Sequence, residues 1–136
     1  MTELSAQVAS RLGKASSQLI GLGREMLKSQ GDLVHLTTVL GQIKRSAADL
    51  RAMAIKEKHV LLGGLCDTIV AFIELLMDRF PTEDEAMLIY HQLESLRAVF
   101  NERIGADGTK DAQDVLTVFR LVVERTKTSG TFAAPK

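Results

Sequence analysis

VLLGGLCDTIVAFIELLMDRF, residues 60–80, is the most apolar run in the chain and decides its fold class. Its apolar residues recur at steps of three and four, which predicts one face of a helix: Leu62, Leu65, Ile69, Phe72, Ile73, Leu76 and Phe80. Further apolar residues occupy the other sides, so other helices must surround this one. The polar strip formed by Asp67, Glu74, Asp78 and Arg79 argues against a membrane span. The stretch therefore predicts the central helix of a bundle.

The composition favours a single all-α domain. The chain has 136 residues, of which 46% are hydrophobic and 25% charged, within the ordinary globular range. Its prolines stand only at positions 81 and 135, so few helices are interrupted. We predict an all-α antiparallel bundle of four or five helices over residues 1–125. The segment TKTSGTFAAPK lacks periodicity, so residues 126–136 are predicted to be a flexible C-terminal tail.

Charge is balanced overall but unevenly spread. Residues 1–59 carry nine Lys/Arg against five Asp/Glu, whereas residues 60–136 carry eight against twelve. We interpret this as two differently charged faces of one bundle, and the alternative is a basic surface for an anionic partner. There is no dense arginine run with interleaved aromatic residues, so nucleic acid is not expected as a partner.

The N-terminus predicts a cytoplasmic protein, and the single cysteine is compatible with a reducing compartment. The segment MTELSAQVAS has no positive region followed by an apolar stretch, which argues against a secretory signal peptide. Cys66 is the only cysteine, so no intramolecular disulfide can form. It lies inside the apolar run and is predicted to be a small buried hydrophobic residue. No membrane association is expected.

The first predicted helix follows a possible cap at Thr2 and has a narrow apolar seam: Leu4, Val8, Leu12, Ala15, Leu19, Leu22 and Met26. Gly13, Gly21 and Gly23 lie within it, and each costs up to ~1 kcal/mol relative to Ala. Either this helix is marginal alone, or the glycines allow a close approach of another helix. The pattern leaves both interpretations open.

The second predicted helix begins after a tight stop and start at Gly31-Asp32. Its seam steps regularly by three and four: Leu33, Leu36, Leu40, Ile43, Ala47, Leu50 and Ala54. The short linker makes the first two helices antiparallel neighbours. Because the seam is unbroken, it could serve either an internal helix or a second copy of the chain, and a homodimer is expected.

The junction Lys56-Glu57-Lys58-His59 contains neither Gly nor Pro. The second helix either ends near Glu57, with the third starting near His59, or runs on to Leu62 and turns at Gly63-Gly64. The charge cluster favours the first alternative, which we prefer, and the paired glycines favour the second.

Phe80-Pro81-Thr82 marks the clearest boundary, since Thr82 and Glu85 have the spacing of a capping box. The fourth helix carries apolar residues on one face: Ile89, Leu93, Leu96, Phe100 and Ile104. Residues 105–108 end it, and Thr109 is predicted to cap the fifth helix. The predicted inward residues of that helix are Ala112, Val115, Phe119, Val122 and Val123.

The histidines do not predict a metal site. Metal sites in helical bundles use paired Glu-x-x-His motifs, and this chain offers a single loose analogue, Asp32-x-x-His35. His91 and Glu94 have the spacing of a surface pair on a helix. No phosphate loop, nucleophile elbow or Cys/His cluster is present, so neither an enzyme nor a cofactor is expected.

His59 is the one candidate for covalent chemistry. It is followed by Leu61 at +2 and Gly63 at +4, and this pattern resembles the histidine phosphotransfer domains of bacterial two-component relays. The resemblance implies a helical bundle in which His59 accepts a phosphoryl group and Gly63 leaves room for the partner. The family has a cation at +3 and a small residue at +6, where this chain has Leu62 and Leu65. The alternative interpretation is a histidine that starts a helix at the end of the bundle.

A second pattern combines Gly31-Asp32, the regular leucine seam, Lys56-Glu57-Lys58 and Leu61-Leu62. It resembles the small bacterial export chaperones that keep flagellar subunits soluble, which implies an apolar groove for a partner helix. At several places two or three apolar residues are adjacent in the sequence, as at 60–62, 69–70 and 122–123, and these are here called doubled apolar positions. Their side chains could supply apolar surface beyond what the core needs, or they could all belong to the core. We therefore expect a non-enzymatic protein-interaction module, adaptor or chaperone-like. The alternative is a phosphorelay intermediate, which requires an exposed His59 with a Lys or Arg side chain nearby.

Overall fold

A computed structural model describes residues 6–29, 31–76, 81–101 and 110–129 of the chain. These residues form five α-helices and no strand: α1 (Ala6–Lys28), α2 (Leu33–Lys56), α3 (Val60–Leu76), α4 (Glu83–Asn101) and α5 (Lys110–Ser129). The prediction of an all-α bundle is therefore confirmed. Within the described residues, no helix combines the length and the apolar character that crossing a membrane requires.

Four of the helices form an antiparallel ring, and the fifth lies outside it. α1 packs against α2 and α4, and α3 packs against the same two helices. α5 packs against the outer side of α3. α3 is thus covered from three directions, which explains why its sequence is apolar on nearly every side.

The core confirms that α3 is the central helix. Phe72 and Ile73 are completely buried, and so are most of the other apolar residues of α3, including Leu61, Leu62 and Cys66. The seam of α2 is also buried from Leu36 to Ala54, against other helices of the same chain. That seam therefore serves the intramolecular core, so any self-association must use another surface.

Asp67 and Glu74, the residues of the polar strip that belong to α3, face α2, and Asp78 and Arg79 lie outside the described residues. Arg51 Nη1 lies 2.8 Å from Asp67 Oδ1, and Lys44 Nζ lies 3.5 Å from Glu74 Oε1. The second pair is displaced by seven residues in each helix, in opposite directions, as an antiparallel pair of helices requires. These ion pairs join the basic first half of the chain to the acidic second half.

Two predicted helix boundaries are confirmed by their caps. Gly31 has a φ of 98°, a conformation that glycine adopts without strain, and the Asp32 side chain accepts a hydrogen bond from the backbone N–H of His35. At the start of α4, the Thr82 N–H donates to Glu85 Oε1 at 2.9 Å and the Glu85 N–H donates to Thr82 Oγ1 at 3.2 Å. This reciprocal pair is the capping box that the sequence predicted.

The α2–α3 junction confirms the prediction that the second helix ends near Glu57 and the third starts near His59. The alternative, in which the second helix runs on to Leu62 and turns at Gly63-Gly64, is wrong. α2 ends at Lys56, and the chain turns through Lys58, whose φ of 58° is left-handed. The His59 N–H donates to the carbonyl of Ala54, and the Lys58 N–H donates to that of Ile55. These two bonds form a Schellman motif in which lysine occupies the position that glycine usually takes.

The glycines of α1 divide between the two interpretations. A Cβ added at Gly23 would lie 2.8 Å from Leu93 Cδ1 and 3.0 Å from Tyr90 Cδ1, so this glycine permits the close approach of α4. At Gly13 and Gly21 an added Cβ would meet nothing within 4 Å. Those two positions only weaken the helix.

Two predictions near the C-terminus are corrected. Val115 is 39% exposed, and its neighbour Leu116 is buried instead, because α5 is rotated so that Leu116, Phe119 and Val123 face α3. α5 also continues to Ser129, and Thr126 is buried, so the helix extends beyond the predicted boundary at residue 125. Other predictions lie outside the described residues or side chains: Thr2, Leu4, Val8, Phe80, Phe100, Ile104, the 105–108 stop, Thr109 and the tail 130–136.

Candidate functional site

A pocket of about 530 Å³ opens where the end of α2, the start of α3 and the middle of α5 meet. It contains both residues of the phosphotransfer pattern, His59 and Gly63, in its lining. α5 comes close to α3 because the next residue, Gly64, has no side chain: a Cβ there would lie 2.9 Å from Leu116 Cδ2. The paired glycines therefore do not turn the chain, and Gly64 lets α5 approach the first turns of α3.

His59 acts as the N-terminal cap of α3. Its Nδ1 accepts a hydrogen bond from the backbone N–H of Leu62 at 3.1 Å, and its carbonyl accepts one from the N–H of Gly63 at 3.0 Å. The residue is only 2% exposed, so a small part of its surface reaches the pocket. This geometry matches the interpretation of His59 as a helix-start residue and leaves the imidazole without the exposure that phosphoryl transfer requires.

Cations that the local motif lacks are brought to the pocket by the fold. Lys58 and Arg120 both line it. Arg120 Nη2 lies 3.2 Å from the position that a Gly64 Cβ would take, so the guanidinium reaches across from α5 to α3. Short-range patterns cannot detect such a contribution, since Arg120 lies in a different helix far along the chain.

Charge in the pocket is positive on balance. Arg51 and Asp67 also line it, but they pair with each other at 2.8 Å. Within the part of the chain that the structure describes, the side chains of Lys58 and Arg120 have no carboxylate partner. The start of α3 lines the pocket, so the positive end of its helix dipole lies in this region, and the first turn carries no acid that would offset it.

Apolar side chains complete the pocket. Ile55 and Val60 each have 65% of their surface exposed, and both belong to the lining. Ala54 and the two glycines add further apolar wall. The arrangement can accept a group that is partly apolar and partly anionic.

Cys66 and the remaining histidines have structural environments. Cys66 is completely buried, and burial raises the pKa of its thiol to about 12, with a smaller opposing effect from Arg51. His35 Nε2 lies 3.1 Å from Glu25 Oε1, and His91 Nδ1 lies 3.1 Å from Glu94 Oε1, both on the surface. Among the residues described, no three His, Cys, Asp or Glu side chains come together in a way that could hold a metal ion.

α5 presents a second apolar surface, on the flank away from Arg120. Val118 is 55% exposed, Leu121 is 52% exposed, and Val115 is partly exposed beside them. These three residues, here called the outer α5 stripe, follow each other at steps of three and therefore share one side of the helix. The sequence missed this surface because it assigned Val115 to the core.

Comparison of the chain with protein-family models, curated proteins and solved structures finds no match.

Proposed function

We propose that this chain is a non-enzymatic protein-interaction module that pairs with a second copy of itself through the outer α5 stripe. The observation that carries the proposal is the position of α5: it packs on α3 with one face and leaves three aliphatic side chains exposed on another. Burying such a face against a partner helix removes apolar surface from water.

The sequence of α5 is complementary to itself in the antiparallel direction. Val118 is the centre, and Val115 and Leu121 stand three residues to either side of it. In an antiparallel pair with a two-fold axis at Val118, each Val115 meets the Leu121 of the other copy. Each aliphatic residue of the stripe then has an aliphatic counterpart.

Charges extend the same symmetry. Asp111 and Arg125 stand seven residues to either side of Val118, and both are exposed. The antiparallel arrangement brings Asp111 of each copy to Arg125 of the other, whereas a parallel arrangement would bring like charges together. Charge complementarity of this kind fixes the register of a helix pair more than it adds affinity.

Sedimentation equilibrium tests this proposal. The wild type is expected to be a dimer, and Val118→Asp is expected to be a monomer, because it sets two carboxylates against each other in an apolar contact. Val34→Asp is the matched control, since Val34 is a 78% exposed valine on α2 and should leave association unchanged. A wild type that stays monomeric at high concentration would remove the second copy as the partner.

Charge exchange tests the antiparallel register. Asp111→Arg and Arg125→Asp should each weaken the dimer, and the double variant should restore it, because opposite charges again face each other. Two weakened single variants without restoration in the double variant would contradict the register.

The phosphotransfer alternative rests on a different observation, the presence of Lys58 and Arg120 in a pocket that His59 lines. It additionally requires the turn to open, because the imidazole is 2% exposed. Acid-labile label that passes from a phosphorylated receiver domain to the wild type, and that His59→Gln removes, would establish it over the interaction module. The interaction module predicts no label.

A further inference from the structure

We propose that the pocket between α2, α3 and α5 binds an amphiphilic anion, a small molecule with an apolar body and a carboxylate or phosphate head. The site is separate from the outer α5 stripe, because Arg120 and the stripe lie on opposite flanks of the face that packs on α3. The proposal therefore does not depend on self-association.

Size and shape suit a small molecule. The pocket of about 530 Å³ falls within the range of roughly 300–1,000 Å³ that ligand sites occupy. It is walled by parts of three helices, two of which are held together by the glycine at position 64. Side chains from the helices therefore converge on one volume.

The head group is selected by charge. Arg51 is already paired with Asp67, so the net positive charge comes from Lys58 and Arg120. An anion between these two side chains would gain charge-assisted hydrogen bonds from both. The guanidinium can hold a carboxylate or a phosphate with two parallel bonds, so both heads fit the same site.

The body of the ligand is selected by the exposed aliphatic wall. Ile55 and Val60 flank the turn that carries Lys58, and about two thirds of the surface of each is exposed. A ligand with an alkyl chain would cover both residues while its head reaches the cations. A simple inorganic anion would leave this apolar surface in water and should bind more weakly.

The conformation of Lys58 supports a functional role for its side chain. A non-glycine residue at a φ of 58° is strained, and glycine would close the same Schellman motif without strain. A cation of the pocket lining therefore stands at a position where glycine would be free of strain. Such local strain is typical of ligand-contacting residues.

Titration calorimetry with octanoate and with octyl phosphate tests the proposal on the full chain. We expect at least one to bind, and the comparison of the two identifies the preferred head. Octylamine, which has the same body and the opposite charge, should not bind, and acetate or inorganic phosphate alone should bind more weakly. Absence of binding by both octyl anions at millimolar concentration, or equal binding of octylamine, would overturn the proposal.

Two variants separate ligand binding from folding. Lys58→Gly should raise the melting temperature while it weakens binding of the octyl anion about tenfold, because it relieves strain and removes a charge. Arg120→Gln should weaken binding to a similar extent. Arg24→Gln is the matched control, since Arg24 is exposed on α1 and does not line the pocket. Unchanged affinity in both Lys58→Gly and Arg120→Gln would contradict the assignment of the head-group site.

Discussion

α3 and α5 both carry more apolar residues than a single helix face needs, but they use them differently. α3 contacts three other helices, and its aliphatic and aromatic side chains are almost all buried. α5 packs on α3, and Val118 and Leu121 remain more than half exposed. Apolar surplus in a helix therefore becomes core or interaction surface according to how many neighbours the topology supplies.

The doubled apolar positions illustrate this difference. Positions 61–62, 69–70 and 72–73 of α3 are buried and contribute to stability. Val60, at the end of the same helix, is 65% exposed, because the bundle ends there and no neighbour covers it. The surplus that remains for binding thus lies at the α2–α3 turn and along α5.

The largest expected change in stability comes from a substitution in the core of α3. Phe72→Ala should lower the free energy of unfolding by about 3–5 kcal/mol, because it removes a completely buried aromatic side chain and leaves a cavity. Chemical denaturation of both proteins measures the difference. A loss below about 1 kcal/mol would show that α3 is not the centre of the core.

The titration of Cys66 tests whether the core around α3 excludes water. The pKa of its thiol is raised from 9.0 to about 12 in the folded protein, so the folded state binds this proton more tightly than the unfolded state does. The contribution of this thiol to the free energy of unfolding is fully present below pH 9. It is lost as the pH rises from 9 towards 12, by up to roughly 1.4 kcal/mol per pH unit. Denaturation of the wild type and Cys66→Ala between pH 8 and about 11 measures it.

The variant Cys66→Ala serves as the reference, because tyrosine and lysine titrate in the same alkaline range in both proteins. The wild type should lose more stability with pH than the variant. Parallel pH profiles for the two proteins would contradict the buried thiol.

The contact between α3 and α5 is tested by two adjacent glycines. Gly63→Ala should stabilise the protein by about 0.5–1 kcal/mol, because a Cβ there makes only ordinary contacts, with Ala54 Cβ at 3.9 Å and Ile55 Cγ1 at 4.0 Å. Gly64→Ala should gain less or lose stability, since its Cβ would lie 2.9 Å from Leu116 Cδ2. Amide exchange should show faster opening of α5 in Gly64→Ala alone. Equal stabilisation by both variants would mean that α5 is not held closely at Gly64.

The smallest expected change in stability comes from a substitution in the outer α5 stripe. Leu121→Ala should change the free energy of unfolding of the monomer by less than about 0.5 kcal/mol, because the side chain is 52% exposed. Measurement at low protein concentration separates this value from any effect on association. A loss comparable to that of Phe72→Ala would place Leu121 in the core and remove the outer α5 stripe.

Much of the fold was predictable because it depends on local chemistry. The caps at Asp32 and Thr82 follow from side chains that bond to backbone groups within three residues. The boundary between α2 and α3 was harder, because the Schellman motif uses Lys58 in place of the usual glycine and gives no sequence signal. The rotation of α5 was missed because Val115 and Leu116 are both apolar, and only contact with α3 selects Leu116.

The sequence by itself determined an all-α bundle, the central position of the apolar run that begins at residue 60 and the caps of α2 and α4, since periodicity and capping act over one or two turns. Only the tertiary structure decided that His59 is a buried cap and that Arg120 reaches the first turn of α3. It also decided which surplus apolar residues stay exposed. These features depend on which helices meet in space, and residues distant along the chain supply the contacts that decide them.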